Sequence, residues 1–367
     1  MIQLKDLCQK ASSNIAQKDL EGHEGQYPIY GASGLIGYVD FYKQENPYVA
    51  VVKDGAGIGR VMCLPEKSSV IGTMQYILPN EGVNVHYLAF AMEHMNLAKY
   101  FSGATIPHIY FKDYGKEKLL ERTEKEQKSI AEILSKMDSL ISLRKQQIAK
   151  LDELVKARFV EMFGNPIENT MNWPKKLLRD ITTKIGSGAT PKGGRESYPN
   201  AGVSLIRSMN VYDGQFLYKD LAHLTDEQAT QLNGVTVEAE DVLVNITGAS
   251  VARSCVVPKD VLPARVNQHV AIVRCNRELL NPIFTNKMFI NNEFKKALLS
   301  IGESGGATRQ AITKKQLEEL SVVVPPLSIQ NEFFTFSECV DQQKQTVQQS
   351  LDKLELMKKA LMQEYFG

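Results

Sequence analysis

The sequence predicts an α+β protein in which two similar mixed α/β domains are separated by two long antiparallel helices that form a coiled coil. The first observation is an internal repeat: residues 103–164 align with residues 306–367 at a shift of 203 positions without a gap, and 15 of the 62 aligned positions are identical. The second is a seven-residue apolar spacing within each copy, and the third is a set of short runs rich in β-branched residues outside the repeat. A repeat of this length indicates domain-sized halves and not a solenoid.

Each copy of the repeat carries one complete row of apolar side chains. The rows are Leu134, Ile141, Ile148, Val155 and Met162 in the first copy, and Phe333, Val340, Val347, Leu354 and Leu361 in the second. Two helices packed together would bury both rows, and about 36 helical residues would span roughly 54 Å. The alternative is that each helix packs separately on its own domain.

The repeat divides the chain into four parts. We expect domains at residues 1–110 and 165–315, and helical spacers at 111–164 and 316–367.

In the first domain we expect a short helix at 4–10, strands at 48–53 and 74–78, and a helix at 85–99. The segment 55–59 (Gly-Ala-Gly-Ile-Gly) has the wrong spacing for a dinucleotide-binding loop, and no helix follows it. We therefore interpret it as the turn of a β-hairpin.

The second domain repeats this order of elements more distantly. We expect strands at 203–207 and 242–246, and a shift of 193 places Gly55 on Gly248, Arg60 on Arg253 and Gln75 on Gln268. This favours two copies of one fold with divergent loops, although a few chance matches would give the same pattern.

Composition excludes several classes of protein. The sequence has no run of 18 apolar residues and no signal-peptide core, so we expect a cytoplasmic protein and no membrane partner. Its five cysteines are scattered without a CxxC pair, which indicates buried thiols and argues against a zinc site. The net charge of +1 means that any binding to nucleic acid would depend on local basic loops or on partners.

We predict no catalytic residue and no metal ligand in this chain. The P-loop, GxSxG and HExxH motifs and a methyl-transfer tetrad of the Asp-Pro-Pro-Tyr type are all missing from the sequence. His108 aligns with Ala311 in the other copy, which favours a structural or surface histidine.

The loops of both variable blocks instead suit DNA reading. They combine glycine with the side chains that hydrogen-bond to base edges and phosphates. The candidates are Tyr30, Ser33, Lys53, Arg60 and Gln75 in the first block, and Thr190, Lys192, Arg195, Arg207, Asn210, Arg253, Asn267, Gln268, Arg309 and Gln310 in the second. For each residue the alternative is a solvated loop position or a hydrogen bond at a strand end.

Several motifs recur or mark the ends of the repeat: Gly-Ala-Thr-x-x-x-Ile at 103–109 and 306–312, Val-Pro-Pro-Leu-Ser-Ile-Gln at 324–330, the Lys-Ala…Phe-Gly ends at 156–164 and 359–367, Tyr-Pro-Ile-Tyr-Gly at 27–31, and Gly-Ala-Thr-Pro at 188–191. On these motifs the whole chain resembles the specificity subunit of type I restriction–modification systems. The first copy lacks the Pro-Pro-Leu approach, so we expect a distorted start to its helix.

The resemblance implies that each domain is a target recognition domain that reads one half of a split site in double-stranded DNA. The paired helices would fix the spacing, and two methyltransferase subunits would dock beside them with S-adenosylmethionine. Restriction and translocation subunits would join for cleavage, while this chain would bind no cofactor and catalyse nothing itself. The alternative is a non-catalytic coiled-coil scaffold whose two domains bind proteins.

Overall fold

The computed structural model describes residues 1–103, 107–191, 198–303 and 310–367, and the chain divides into two compact units. Unit 1 contains residues 1–147 and 347–367, and unit 2 contains residues 148–346. Both units combine helices with β-sheets, as the α+β prediction requires.

Unit 1 contains nine strands and three short helices among its described residues. The strands are β1 (Ile2–Gln3), β2 (Cys8–Ser12), β3 (Tyr27–Gly31), β4 (Gly34–Val39), β5 (Tyr48–Val52), β6 (Val61–Leu64), β7 (Ser69–Val70), β8 (Met74–Pro79) and β9 (Lys118–Leu119). The short helices are α1 (Leu4–Leu7), α2 (Val85–His94) and α3 (Phe111–Tyr114), and the first long helix, α4 (Glu124–Phe163), begins in this unit.

The core of unit 1 is an antiparallel sheet in the order β2-β8-β5-β6, next to a smaller sheet in the order β4-β3-β7. All five residues of β5 are buried, which explains why this strand is a continuous apolar run. The helix expected at 4–10 ends at Leu7 because the chain then pairs with β8. The helix expected at 85–99 ends at His94, and Asn96 adopts a left-handed conformation with φ 50°.

Unit 2 contains twelve strands and four short helices among its described residues. The strands are β10 (Lys175–Leu177), β11 (Thr182–Ser187), β12 (Val203–Ile206), β13 (Val211–Tyr212), β14 (Gln215–Phe216), β15 (Ala222–Leu224), β16 (Thr236–Val237), β17 (Val242–Asn245), β18 (Ser254–Val256), β19 (Ala264–Val266), β20 (Val270–Cys275) and β21 (Ser321–Val323). The helices are α5 (Asp226–Gln231), α6 (Pro282–Phe289), α7 (Asn292–Glu303) and α8 (Lys314–Glu318), followed by the second long helix, α9 (Leu327–Phe366).

The sheets of unit 2 repeat the topology of unit 1. The antiparallel order β11-β20-β17-β18 matches β2-β8-β5-β6. In the smaller sheets, β12 pairs antiparallel with β15 and parallel with β19, as β3 does with β4 and β7. The two domains are therefore copies of one fold.

The shift of 193 holds only as far as the hairpin. Val49 lies opposite Ile77 and Val242 lies opposite Val273, so β20 follows β8 at a shift of 196. The predicted equivalence of Gln75 and Gln268 is therefore wrong, because the register places Gln75 level with Ala271. Three additional residues precede β20, within a longer connection between β18 and β19.

The two long helices are each 40 residues and begin at equivalent positions of the repeat. The expectation of a distorted start to the first helix is wrong. Thr123 and Glu126 form a reciprocal cap there, in which the Thr123 N–H donates to Glu126 Oε2 at 2.8 Å and the Glu126 N–H donates to Thr123 Oγ1 at 3.3 Å. Side-chain capping thus replaces the missing prolines.

Within each unit the long helices pack antiparallel. In unit 1, Asp138 and Lys145 of α4 form ion pairs with Lys358 and Glu355 of α9, each at 2.8 Å. In unit 2, Asp152 lies 2.5 Å from Lys344, and Arg158 lies 3.1 Å from Glu332. Ion pairs at or near the surface contribute little stability, so we expect the apolar rows to supply most of it.

The predicted apolar rows face inward. Their buried members are Leu134, Ile141, Val155, Phe333, Val340 and Val347, and the others are half-buried. The Phe of each Phe-Gly end completes the packing: the Phe163 ring lies 4.6 Å from the ring of Phe284 in unit 2, and the Phe366 ring lies 5.3 Å from that of Tyr87 in unit 1. Each helix therefore packs both on its antiparallel partner and on a domain, so the alternative of separate packing is excluded.

Across the part of the chain that the structure describes, no helix combines the length and the apolar character needed to cross a membrane.

Candidate nucleic-acid interface

A hairpin loop of the same conformation follows the central strand in both domains. We call residues 53–60 and 246–253 the Gly-Ala hairpins. Each is closed by a pair of backbone hydrogen bonds. In unit 1, the Val52 N–H donates to Arg60 O at 2.9 Å and the Gly59 N–H donates to Val52 O at 2.8 Å. The matching bonds in unit 2 run from the Asn245 N–H to Arg253 O at 2.8 Å and from the Ala252 N–H to Asn245 O at 2.9 Å. The hairpin assignment is therefore confirmed, and each loop ends on an arginine.

Positive φ angles explain the glycine shared by these loops at their third position. Gly55 has φ +89° and Gly248 has φ +75°, values that only glycine adopts without strain. At the fourth following position, Gly59 has φ +82° and Ala252 has φ +65°. The second loop thus keeps the conformation of the first even where it has lost the glycine.

The repeated segment after Gly-Ala-Thr supports each hairpin. In unit 1, the Gly55 N–H donates to Pro107 O at 3.1 Å, and the Ile109 N–H donates to Lys53 O at 3.0 Å. In unit 2, the Gly248 N–H donates to Gln310 O at 2.9 Å, and the Ile312 N–H donates to Ile246 O at 2.8 Å. The Ala-Thr of the first motif and the whole second motif lie outside the described residues.

Four of the five candidates in the first domain gather at this end of the sheet. Exposed Arg60 donates from Nη1 to Ala32 O at 2.6 Å, which joins the Gly-Ala hairpin to the β3–β4 turn that carries exposed Ser33. Tyr30, at the end of β3, is half-buried, and this burial raises the pKa of its hydroxyl, with a smaller contribution from nearby Tyr38. Lys53 forms an ion pair with Asp54 at the start of the hairpin.

In the second domain, several loops converge in the same way. Thr190 donates its hydroxyl to Gln268 Oε1, and both side chains are exposed. The Arg253 guanidinium lies 4.2 Å from the centroid of the Tyr212 ring. Arg207 directly follows β12 and donates to Asp220 O, and Gln310 supports the hairpin through its backbone and donates from Nε2 to Glu303 Oε1 at 2.8 Å.

Three candidates have buried amides that bind within their own domain. Gln75 accepts from the Tyr114 hydroxyl at 2.8 Å. Asn210 accepts from the Arg207 N–H at 3.1 Å and donates to Leu217 O at 2.8 Å. Asn267 Oδ1 accepts from the His269 N–H at 3.0 Å. These three side chains are therefore buried and bonded within their own domain, apart from the exposed candidates.

Lys192, Arg195 and Arg309 lie outside the described residues, so their prediction stays as the sequence made it.

Two side-chain pairs, each joining a hairpin residue to a histidine elsewhere in the chain, were missed by the sequence prediction. Asp54 Oδ1 lies 2.6 Å from His108 Nδ1 in unit 1, and Thr247 hydrogen-bonds to His269 Nδ1 in unit 2. The partners are far apart in sequence, and the two domains draw their histidine from different segments, so alignment of the halves could not reveal them.

The loop ends combine exposed amides, hydroxyls and guanidinium groups with close backbone approach at glycine. Such groups can contact phosphates and base edges. Among the described residues, no group of three or more His, Cys, Asp or Glu side chains is arranged to hold a metal ion. The chemistry that these loops support is hydrogen bonding.

Comparisons with known proteins identify the family. The family model of the type I restriction modification DNA specificity domain matches residues 1–153 and 171–356. Two curated relatives from Methanocaldococcus jannaschii bear the names of type I restriction enzyme specificity subunits, MjaX and MjaVIII. The first is 23% identical over 98% of this chain and 91% of its own length, and the second is 21% identical over 98% and 89%.

Solved structures share the fold. The S subunit of a type I restriction–modification system from M. genitalium superposes with a TM-score of 0.65 at 15% identity, covering 100% of this chain and 95% of its own. A chain from a structure that describes complex assembly and conformational transition of a type I R-M system gives a TM-score of 0.55 at 15% identity, covering 99% and 96%.

Proposed function

The chain belongs to the family of type I restriction–modification DNA specificity domains, and on that premise we propose that each of its two domains reads one half of a bipartite site in double-stranded DNA. The observation that carries the proposal is the Gly-Ala hairpin, which occurs in both domains with one conformation and one terminal arginine. A shared frame with different neighbouring side chains suits two readers of different sequences. The chain supplies recognition, and catalysis belongs to its partners.

Each hairpin brings backbone and an arginine to the same place. Glycine at the third position of each hairpin permits close approach of a phosphate or base edge. Arginine binds phosphates and guanine, and a good base contact contributes about 1–3 kcal/mol of discrimination. Arg60 and Arg253 are therefore the matched residues that we assign to DNA contact in the two half-sites.

The long helices supply the spacing and the docking surface for two methyltransferase subunits, which carry S-adenosylmethionine. This part of the proposal is supported by apolar side chains that remain exposed on the helices of unit 1, namely Leu140, Leu143, Leu356 and Met357. The net charge of +1 fits a complex in which methyltransferases share the phosphate contacts. Restriction and translocation subunits join the same assembly for cleavage.

The test is the sequence preference of the assembled methyltransferase with Arg60→Ala or Arg253→Ala. Methylation of a DNA library randomised in both half-sites is measured by sequencing. We expect each variant to weaken discrimination about tenfold in one half-site, a different one for each arginine.

Arg277→Ala is the matched control, because exposed Arg277 follows the opposite end of β20 from the hairpin and pairs with Glu240 at 2.8 Å. Its half-site preferences should equal those of the wild type. A wild-type complex without a bipartite preference, or preferences unchanged in both arginine variants, contradicts the proposal.

A further inference from the structure

The first domain carries a carboxylate–imidazole pair at positions where the second domain has neither group. Asp54 and His108 form an isolated β-bridge, and Asp54 Oδ1 lies 2.6 Å from His108 Nδ1. The same bridge in unit 2 joins Thr247 and Ala311. The backbone bridge is thus common to both domains and does not require the side-chain pair.

Hydrogen bonding fixes which imidazole nitrogen faces Asp54. Burial raises the pKa of Asp54, but hydrogen bonds and charges from Lys53 and His108 outweigh it and hold this pKa below its usual value. The ionised carboxylate can only accept, so Nδ1 of His108 carries the proton between them. In the neutral imidazole, Nε2 is then an acceptor.

The His108 side chain is accessible at the edge of the proposed interface. It is 38% exposed, and its ring lies 6.5 Å from the ring of Tyr110, which is itself half exposed. Because Asp54 is the second residue of the Gly-Ala hairpin, an acceptor on His108 lies beside the loop that we assign to DNA contact.

We propose that His108 reads an exocyclic amino group, adenine N6 or cytosine N4, in the half-site of the first domain, with Asp54 as its positioning residue. These amino groups are the hydrogen-bond donors that bases present in the major groove, and an imidazole acceptor complements them. The inference rests on the proposed function and adds a specificity that the second domain does not share. At the equivalent positions of that domain, Thr247 and Ala311 provide neither a carboxylate nor an imidazole, so its contact with a base must differ there.

The repeat itself supplies variants that the fold accepts. His108→Ala and Asp54→Thr introduce the residues that stand at the matching positions of unit 2. The test measures methylation by the assembled complex on a library randomised in both half-sites. We expect His108→Ala to weaken the preference for one base pair at one position of one half-site about tenfold, because the amino group of that pair loses its acceptor. Asp54→Thr should weaken the same position and no other.

A second histidine–aspartate pair provides the control. His23 Nδ1 lies 2.8 Å from Asp40 Oδ1, and Asp40 follows the opposite end of β4 from the β3–β4 turn. His23→Ala should leave both half-sites unchanged.

The outcomes distinguish a failure of the His108 assignment from a failure of the proposed function. A His108→Ala complex whose preferences equal those of the wild type, or whose methylation falls equally on every sequence, overturns the assignment of His108 while the proposed function stands. A wild-type complex without bipartite preference overturns the proposed function itself.

Discussion

A glutamine that is identical in both copies of the repeat joins each long helix to a domain. Gln127 Oε1 accepts from the Asn84 N–H at 3.0 Å, and Gln330 Oε1 accepts from the Asn281 N–H at 2.9 Å. Asn84 and Asn281 are the N-caps of α2 and α6, so the glutamine binds the residue that begins the domain helix. Its Nε2 donates back to the chain five residues earlier, to Arg122 O at 3.1 Å or Pro325 O at 2.8 Å.

Gln330→Ala should lower the free energy of unfolding by about 2–3 kcal/mol, because buried backbone groups lose their partners. Gln330 is fully buried and also donates to Leu279 O at 3.0 Å, so the change leaves several polar groups unsatisfied. Chemical denaturation checks the value. Gln345→Ala, exposed on the same helix, should shift it by less than about 0.5 kcal/mol. Equal effects of the two substitutions would show that the hydrogen bonds of Gln330 do not stabilise the contact between the long helix and the domain.

At the scale of elements, periodicity predicted the helices better than residue type predicted the interface. The apolar rows with seven-residue spacing predicted the helix pair, because such spacing places the apolar side chains on one face of a helix and that face is buried. Gln75, Asn210 and Asn267 have side chains able to bind DNA, but their sequence does not say that Tyr114, Leu217 and His269 bind them internally. Whether a polar side chain faces solvent depends on tertiary contacts that local patterns do not contain.

The pairing of Asp54 with His108 shows the same limit for the site. The two residues are 54 positions apart, and comparison of the halves argued against His108 because Ala311 replaces it. A residue that gives one domain its own specificity must differ from its counterpart. Similarity between the copies therefore locates the shared frame, here the Gly-Ala hairpin, and is silent about the residues that distinguish the two readers.

The proposed docking of a methyltransferase can be tested on the helix pair of unit 1. The ion pair between Lys145 and Glu355 places exposed Leu143 of α4 beside the segment of α9 that carries exposed Leu356. The double variant Leu143→Glu/Leu356→Glu should abolish co-purification with the methyltransferase, because two charges would be buried in the contact, while thermal stability stays within about 2 °C of the wild type. Ser142→Glu, exposed on the neighbouring position of α4, is the control for added charge. Undiminished co-purification of the double variant would place the docking surface elsewhere.

The whole molecule is organised so that each unit is closed by the end of a long helix. Unit 1 combines residues 1–147 with 347–367, and Phe366 of α9 packs with Tyr87 and Ile130 there. Unit 2 is closed by Phe163 of α4, whose ring lies 5.4 Å from that of Phe333. The Phe-Gly ends of the repeat are therefore equivalent closures of two units.

This organisation predicts that Phe366 and Phe163 stabilise different domains. Phe366→Ala should speed amide hydrogen exchange in α2, and Phe163→Ala should speed it in α6, because each substitution removes an aromatic ring from the contact with that helix. Phe163→Ala should lower the free energy of unfolding by about 3–5 kcal/mol, because Phe163 is fully buried. Phe366→Ala should lower it by less, because Phe366 is only half-buried. Hydrogen exchange followed by mass spectrometry resolves the two helices within one experiment. If Phe366→Ala accelerated exchange in α6 as much as in α2, the units would not be separately closed, and the helix ends would stabilise the chain as a single cooperative body.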